Sequence, residues 1–224
     1  MNYNKFREDY LRPYIEIDEA DNNFPHTSIG DIHFAAKWEG IEEQRINKLF
    51  RLINSVDPTT KKRLIRQFYQ ILDRKYNDQT ISPDLPQPTK VGCSIDKVTS
   101  NGIQQIGQWA TATNFRVYSW MIAGTSTKTA TYGDTMDDII ELTRVNVLGT
   151  GGFLDPMNDG WNASGSFPRG TPTGTISEIA MANSETAETS LIFDRTLLQF
   201  SDRIDHVQNN DSFTLSTLYV ITSI

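Results

Sequence analysis

Reactive side chains are scarce in this chain: His26, His33 and His206 are its three histidines and Cys93 its one cysteine. No two histidines stand in a His-Glu-x-x-His arrangement, and none has cysteine partners at ligand spacing, the patterns that hold zinc. The histidines therefore read as surface or loop residues, with no metal or other cofactor expected. Cys93 has no neighbouring histidine to activate it, and neither a Gly-x-Ser-x-Gly elbow nor a phosphate-binding Gly-x-x-x-x-Gly-Lys occurs. Gly149-Thr150-Gly151-Gly152 resembles half of a dinucleotide fingerprint. It runs into Phe153-Leu154-Asp155-Pro156 instead of a helix whose N-terminus would hold a pyrophosphate, so it reads as a flexible loop. Asp137, Asp138 and Glu141 are the densest acidic group in the second half, and a carboxylate pair at the right separation hydrolyses glycosides. Acids on an exposed segment are far commoner, and the chain is not expected to be an enzyme.

Glu178 differs from these acids, because Gly174-Thr175-Ile176-Ser177-Glu178-Ile179-Ala180-Met181 places it in a strand-like, apolar setting. A buried carboxylate needs a partner, and Arg144 and Arg195 lie in other strand-like stretches, so a structural ion pair is expected. Trp161, in the loop-like Asn158-Asp159-Gly160-Trp161-Asn162, is the candidate exposed aromatic for contact with a ligand such as a glycan.

The elements that must position these residues follow from periodicity. In residues 1–30, Tyr3, Phe6, Tyr10 and Tyr14 stand among charged residues; the first three fit a helical stripe until Pro13 stops it. This segment is too short to own a core and reads as an arm whose aromatics dock on its own domain or on a neighbouring subunit. Residues 31–77 read as a helical hairpin. Ile46, Leu49, Phe50 and Ile53 recur at helical spacing, Asp57 and Pro58 start a second helix, and Leu64, Ile65, Phe68 and Leu72 continue an apolar face. Such a hairpin needs something to cover its apolar faces. Residues 78–90 contain three prolines and read as an extended linker. Residues 91–224 alternate short apolar runs with turn residues, which predicts strands near 115–122, 142–148, 175–181, 191–198 and 213–221. The expected fold is mainly β with an α-helical N-terminal part: a helical hairpin followed by an antiparallel β-sandwich.

Hydrophobic residues make up 38% and charged residues 22% of the 224 residues, enough to build a core. No apolar run approaches the roughly 18–20 residues that cross a bilayer, and the first residues lack the greasy stretch of a signal peptide. Membrane insertion is not expected. Residues 1–90 hold fourteen basic and fourteen acidic residues, whereas residues 91–224 hold seven and fourteen, which accounts for the net charge of −7. An acidic sandwich would repel a phosphate backbone, so free nucleic acid is not an expected partner. The basic run Lys61-Lys62-Arg63, with Arg66, Arg74 and Lys75, reads as a solvated helix face.

The second half carries an ordered set of elements. Ile122-Ala123-Gly124-Thr125-Ser126 is followed by Thr127 and Thr129, Asp134-Thr135 and Arg144; Phe167-Pro168 precedes Gly174-Thr175-Ile176-Ser177-Glu178-Ile179; Leu191-Ile192-Phe193-Asp194-Arg195 leads to a closing stretch, residues 211–219. In this order the region from about 115 to 224 resembles a β-sandwich domain of tailed-bacteriophage virion structural proteins of the tail-fibre type. The chain departs from that pattern at Ser126 and Ala180, where the family favours glycine. The resemblance implies a non-enzymatic, tail-associated virion component, assembled in the host cytoplasm, which anchors a sandwich to neighbouring subunits and serves host adhesion. Its partners would be other virion proteins, further copies of itself and a host surface glycan. A capsid-surface fibre or decoration protein, or a carbohydrate-binding adhesion module, would use the same parts.

Overall fold

The computed structural model describes residues 27–95, 97–110, 117–149, 151–157, 160–207 and 211–223. The expected docking aromatics Tyr3, Phe6, Tyr10 and Tyr14 lie outside the described residues. The first described element corrects the sequence reading. Residues 27–39 form a strand, β1 (Thr27–Glu39), and the helical hairpin begins only after it. Gly40, with φ near 58°, turns the chain at this corner in a conformation that favours glycine.

The hairpin itself forms as its spacing predicts: α1 (Ile41–Ser55) buries Ile46, Phe50 and Ile53, and α2 (Pro58–Tyr76) buries Leu64, Ile65, Phe68, Tyr69, Ile71 and Leu72. Asp57 caps α2 by accepting from the amides of Thr59 and Thr60 at 3.0 and 3.1 Å, with Pro58 in the first turn. Short strands β2 (Lys90–Ile95) and β3 (Lys97–Val98) and helix α3 (Ser100–Ala110) follow; the sequence reading had not resolved these elements. Next come β4 (Trp120–Gly124), β5 (Glu141–Asn146), β6 (Gly152–Met157) and β7 (Gly160–Phe167). The chain closes with β8 (Gly174–Ile176), β9 (Glu178–Ala182), β10 (Ile192–Leu197), β11 (Ile204–Val207) and β12 (Asp211–Ser223). The single strand expected over 175–181 is interrupted at Ser177, whose amide donates to Gly124 O at 3.0 Å.

One five-stranded antiparallel sheet runs β2-β1-β12-β7-β6, a second runs β3-β10-β9-β4-β5, and β11 pairs with β8. The first sheet is the middle layer. Side chains alternate along a strand, and in β1 Ile32, Phe34, Ala36 and Trp38 face the hairpin while Ala35 faces the second sheet. On the hairpin side the rings of Phe50, Phe68 and Phe153 meet edge to face with centroids 5.2–5.9 Å apart. Tyr69 Oη donates to the carbonyls of Ala163 at 3.1 Å and Thr217 at 2.7 Å. On the other side Met121, Ile179, Met181 and Phe193 of the second sheet meet Ala163, Phe167, Phe213, Leu215 and Tyr219 of the first. The hairpin's apolar faces are thus covered by the chain's own sheet. Among the described residues no helix is long and apolar enough to cross a membrane.

Because Phe68 is fully buried between α1 and the middle sheet, replacing it by alanine should destabilise the whole fold by about 3–5 kcal/mol in chemical denaturation. A loss confined to helical signal, with the sandwich unfolding at its original midpoint, would show the hairpin to be an independent unit.

Candidate functional site

Two clusters of charge are buried on opposite faces of the second sheet. The outer one is built around Arg195 on β10, which is wholly buried. Its Nε donates to Glu178 Oε1 at 2.5 Å, Nη1 to Asp134 Oδ2 at 2.6 Å, and Nη2 to Ser126 Oγ at 3.0 Å and Lys128 O at 2.9 Å. The second oxygen of Glu178 accepts from the amides of Ser126 at 3.2 Å and Ile140 at 3.1 Å. Gly124 is needed beside it, since a Cβ there would collide with Glu178 Oε2. Asp134 also accepts from the amide and hydroxyl of Thr131 at 2.9 and 2.6 Å. Burial works against its charge, but the hydrogen bonds from Thr131 and the Arg195 guanidinium hold its carboxyl below the usual range. Both carboxylates are buried and turned to partners of the chain itself, and the cluster clamps β9, β10 and the segment 126–134 together.

The expected Glu178–Arg195 pair is therefore present, and Asp134, which the sequence reading had not singled out, joins it. Arg144 is not part of it. That side chain pairs with Glu141 (Nε to Oε1, 2.7 Å) and donates to Ser184 O at 2.6 Å and Ser190 Oγ at 2.8 Å, because its register on β5 carries it to the other end of β9. Trp161 also departs from expectation. It lies within β7, half-buried, stacked on Tyr219 at 4.4 Å and edge-on to Phe193 at 5.4 Å, so it belongs to the sandwich interior and not to an exposed loop. The acidic group is occupied structurally: Asp138 accepts from Thr135 N at 2.9 Å and pairs with Lys128, and Glu141 holds Arg144.

The inner cluster was missed. Asp31 and His33, two residues apart on β1, point into the space between the sheets, and Asp194 on β10 meets them there. A register shift between Ile192 and Asp194 allows this, since the extra residue leaves both Phe193 and Asp194 on the inner face. His33 Nε2 stands 3.6 Å from Asp31 Oδ2 and 3.5 Å from Asp194 Oδ2, and all three side chains are at most 1% exposed. The other oxygen of Asp194 accepts from the amide of Met181 at 2.9 Å. Burial pushes the Asp194 carboxyl up to about 7, aided by Asp31 and opposed by His33 and the Met181 amide. For His33 burial acts downward, but the charges of Asp194 and Asp31 prevail and raise it. His33 is thus not the surface histidine expected. The legible signal was Asp31-x-His33, a spacing that puts both residues on one face of a strand, concealed by reading residues 31 onward as helix. These three residues can hold a metal ion; facing no solvent, they offer no seat to a substrate.

Comparison with protein-family models, with curated proteins and with solved structures finds no match for this chain.

Two outcomes follow from this geometry. Glu178→Gln should cost about 1–3 kcal/mol of unfolding free energy, because a carboxamide has one acceptor oxygen and its NH2 must face either the Arg195 Nε–H or the amides of Ser126 and Ile140; an unchanged denaturation midpoint would refute the clamp. Cys93 is buried, and burial, with Asp202 and Asp73 nearby, pushes its thiol up to about 12. It should react with a thiol-specific chromogenic disulfide only after denaturant is added; rapid labelling of the native chain would contradict its placement.

Proposed function

We propose that this chain is a structural component of a tailed-bacteriophage virion, tail-associated, whose β-sandwich is held to neighbouring subunits for assembly and host adhesion. The observation that carries the reading is where the family-like residues fall. Asp134, Glu178 and Arg195 come from three separate stretches of the resemblance and meet in the one buried clamp, joined there by Ser126, where the chain departs from the family's glycine. A set of residues that exists to hold a sheet together suits a scaffold more than a catalyst.

The burial pattern bears on how such anchoring would work. The buried apolar faces of α1 and α2 are used on the chain's own middle sheet, leaving the hairpin an outer face where Lys62 and Arg63 are exposed together with Ile41 and Leu52 for contact with another subunit. The aromatic and charged residues 1–26 are then the principal candidates for docking on a neighbour. Adhesion would come from many copies acting together, each weak contact raising the effective concentration of the next. With Trp161 half-buried against Tyr219 and Phe193, a glycan-binding module loses its leading exposed aromatic.

Immunogold labelling of particles from infected cells, with antibody against the recombinant chain, tests the proposal. Label at the tail or neck is expected. Label over the capsid would replace the tail assignment with a decoration role, and particles without label would overturn the virion reading.

A further inference from the structure

We propose that Asp31, His33 and Asp194 form a structural site for a divalent transition-metal ion, Zn²⁺ foremost, which pins β1 of one sheet to β10 of the other. The distances are those of ligands around an ion. At 3.5 and 3.6 Å the imidazole–carboxylate separations exceed hydrogen-bonding range, about 2.7–3.2 Å for nitrogen to oxygen. They lie close to the roughly 3.3 Å edge of a tetrahedron whose zinc bonds are about 2.0–2.1 Å long. The three donor atoms all fall within 4.8 Å of one another. An ion between them needs each imidazole–carboxylate pair to contract by a few tenths of an ångström and the two carboxylates, which lie within 4.8 Å of each other, to close towards the same edge length.

The surroundings point the same way. Neither oxygen of Asp31 has a hydrogen-bond partner among the described residues, although the side chain is buried. Thr217 is directly opposite His33 in the β1–β12 register, on the same inner face, fully buried, and its Oγ1 likewise has no hydrogen-bond partner among the described residues. Buried polar atoms are nearly always satisfied, so Asp31 oxygens that face only the His33 imidazole, beside Asp194, leave a place for a bound cation. A divalent cation would displace the protons of this cluster, and the two carboxylates and neutral imidazole that remain carry two negative charges, which the ion cancels. One nitrogen with oxygens suits zinc, with manganese the nearest competitor. Because the ligands are sealed between sheets, the ion would be taken up as the chain folds, and its binding energy would be folding energy.

The test uses the full chain without an affinity tag, refolded from denaturant with ZnCl₂ and passed over chelating resin. The expected result is about one Zn²⁺ retained per chain by elemental analysis, with an unfolding midpoint that rises with zinc concentration. Asp31→Asn combined with Asp194→Asn should abolish both, with affinity falling beyond the roughly 10- to 100-fold that loss of an outer partner costs. Should the double variant fail to fold, X-ray absorption at the zinc edge of the wild-type chain decides. A sphere of oxygen and one imidazole supports the site; sulfur from Cys93, no retained zinc, or zinc retained equally by a folded double variant overturns it. The inference is independent of the virion reading, which a folded metal-free chain would leave intact.

Discussion

The thirteen-residue ladder between β1 and β12 is the constraint on which the rest depends. It lies at the centre of the five-stranded sheet, and both faces of that sheet are apolar, so neither can be left to water. The α1–α2 hairpin covers one face and the second sheet covers the other. Three layers result, with the middle one supplying side chains alternately to two cores. The ladder also joins strands from distant parts of the chain, so neither core can form until that long loop is closed.

The buried charges follow from this layering. On the outer face of the second sheet, Arg195 is matched by two carboxylates and by neutral acceptors, an arrangement that repays the desolvation of each charge because nothing is left unpaired. On the inner face, the shift at Ile192–Asp194 turns an acid towards β1, where Asp31 and His33 wait between apolar layers. The two clusters hang from adjacent residues of one strand. Asp194 and Arg195 point to opposite sides of the sheet and tie it respectively to the middle sheet and to its own neighbours.

What the sequence revealed was local. The faces of α1 and α2 were legible because apolar spacing repeats within one element, and the Asp57-Pro58 start because capping involves only the next two amides. The Glu178–Arg195 pair was legible because a carboxylate amid strand-like apolar residues demands a cation. What stayed hidden depended on distant pairing. Strand β1 buries both faces, so its alternation of apolar residues with Asp31 and His33 lacked the simple in-and-out pattern of a half-exposed strand. Trp161 looked exposed because glycine and asparagine flank it, yet pairing with Tyr219 draws it inward. Arg144 could not be separated from Arg195 as partner to Glu178 without the register of β4 against β5.

The central claim, that hairpin and sandwich are one cooperative unit held by β1 and β12, is tested most directly by native-state hydrogen exchange. The account expects amides of residues 31–38 and 212–219 to exchange slowest, through global unfolding, with the buried face of α2 opening at the same free energy. Exchange of α2 through a lower-energy opening that leaves the β1–β12 amides protected would contradict it.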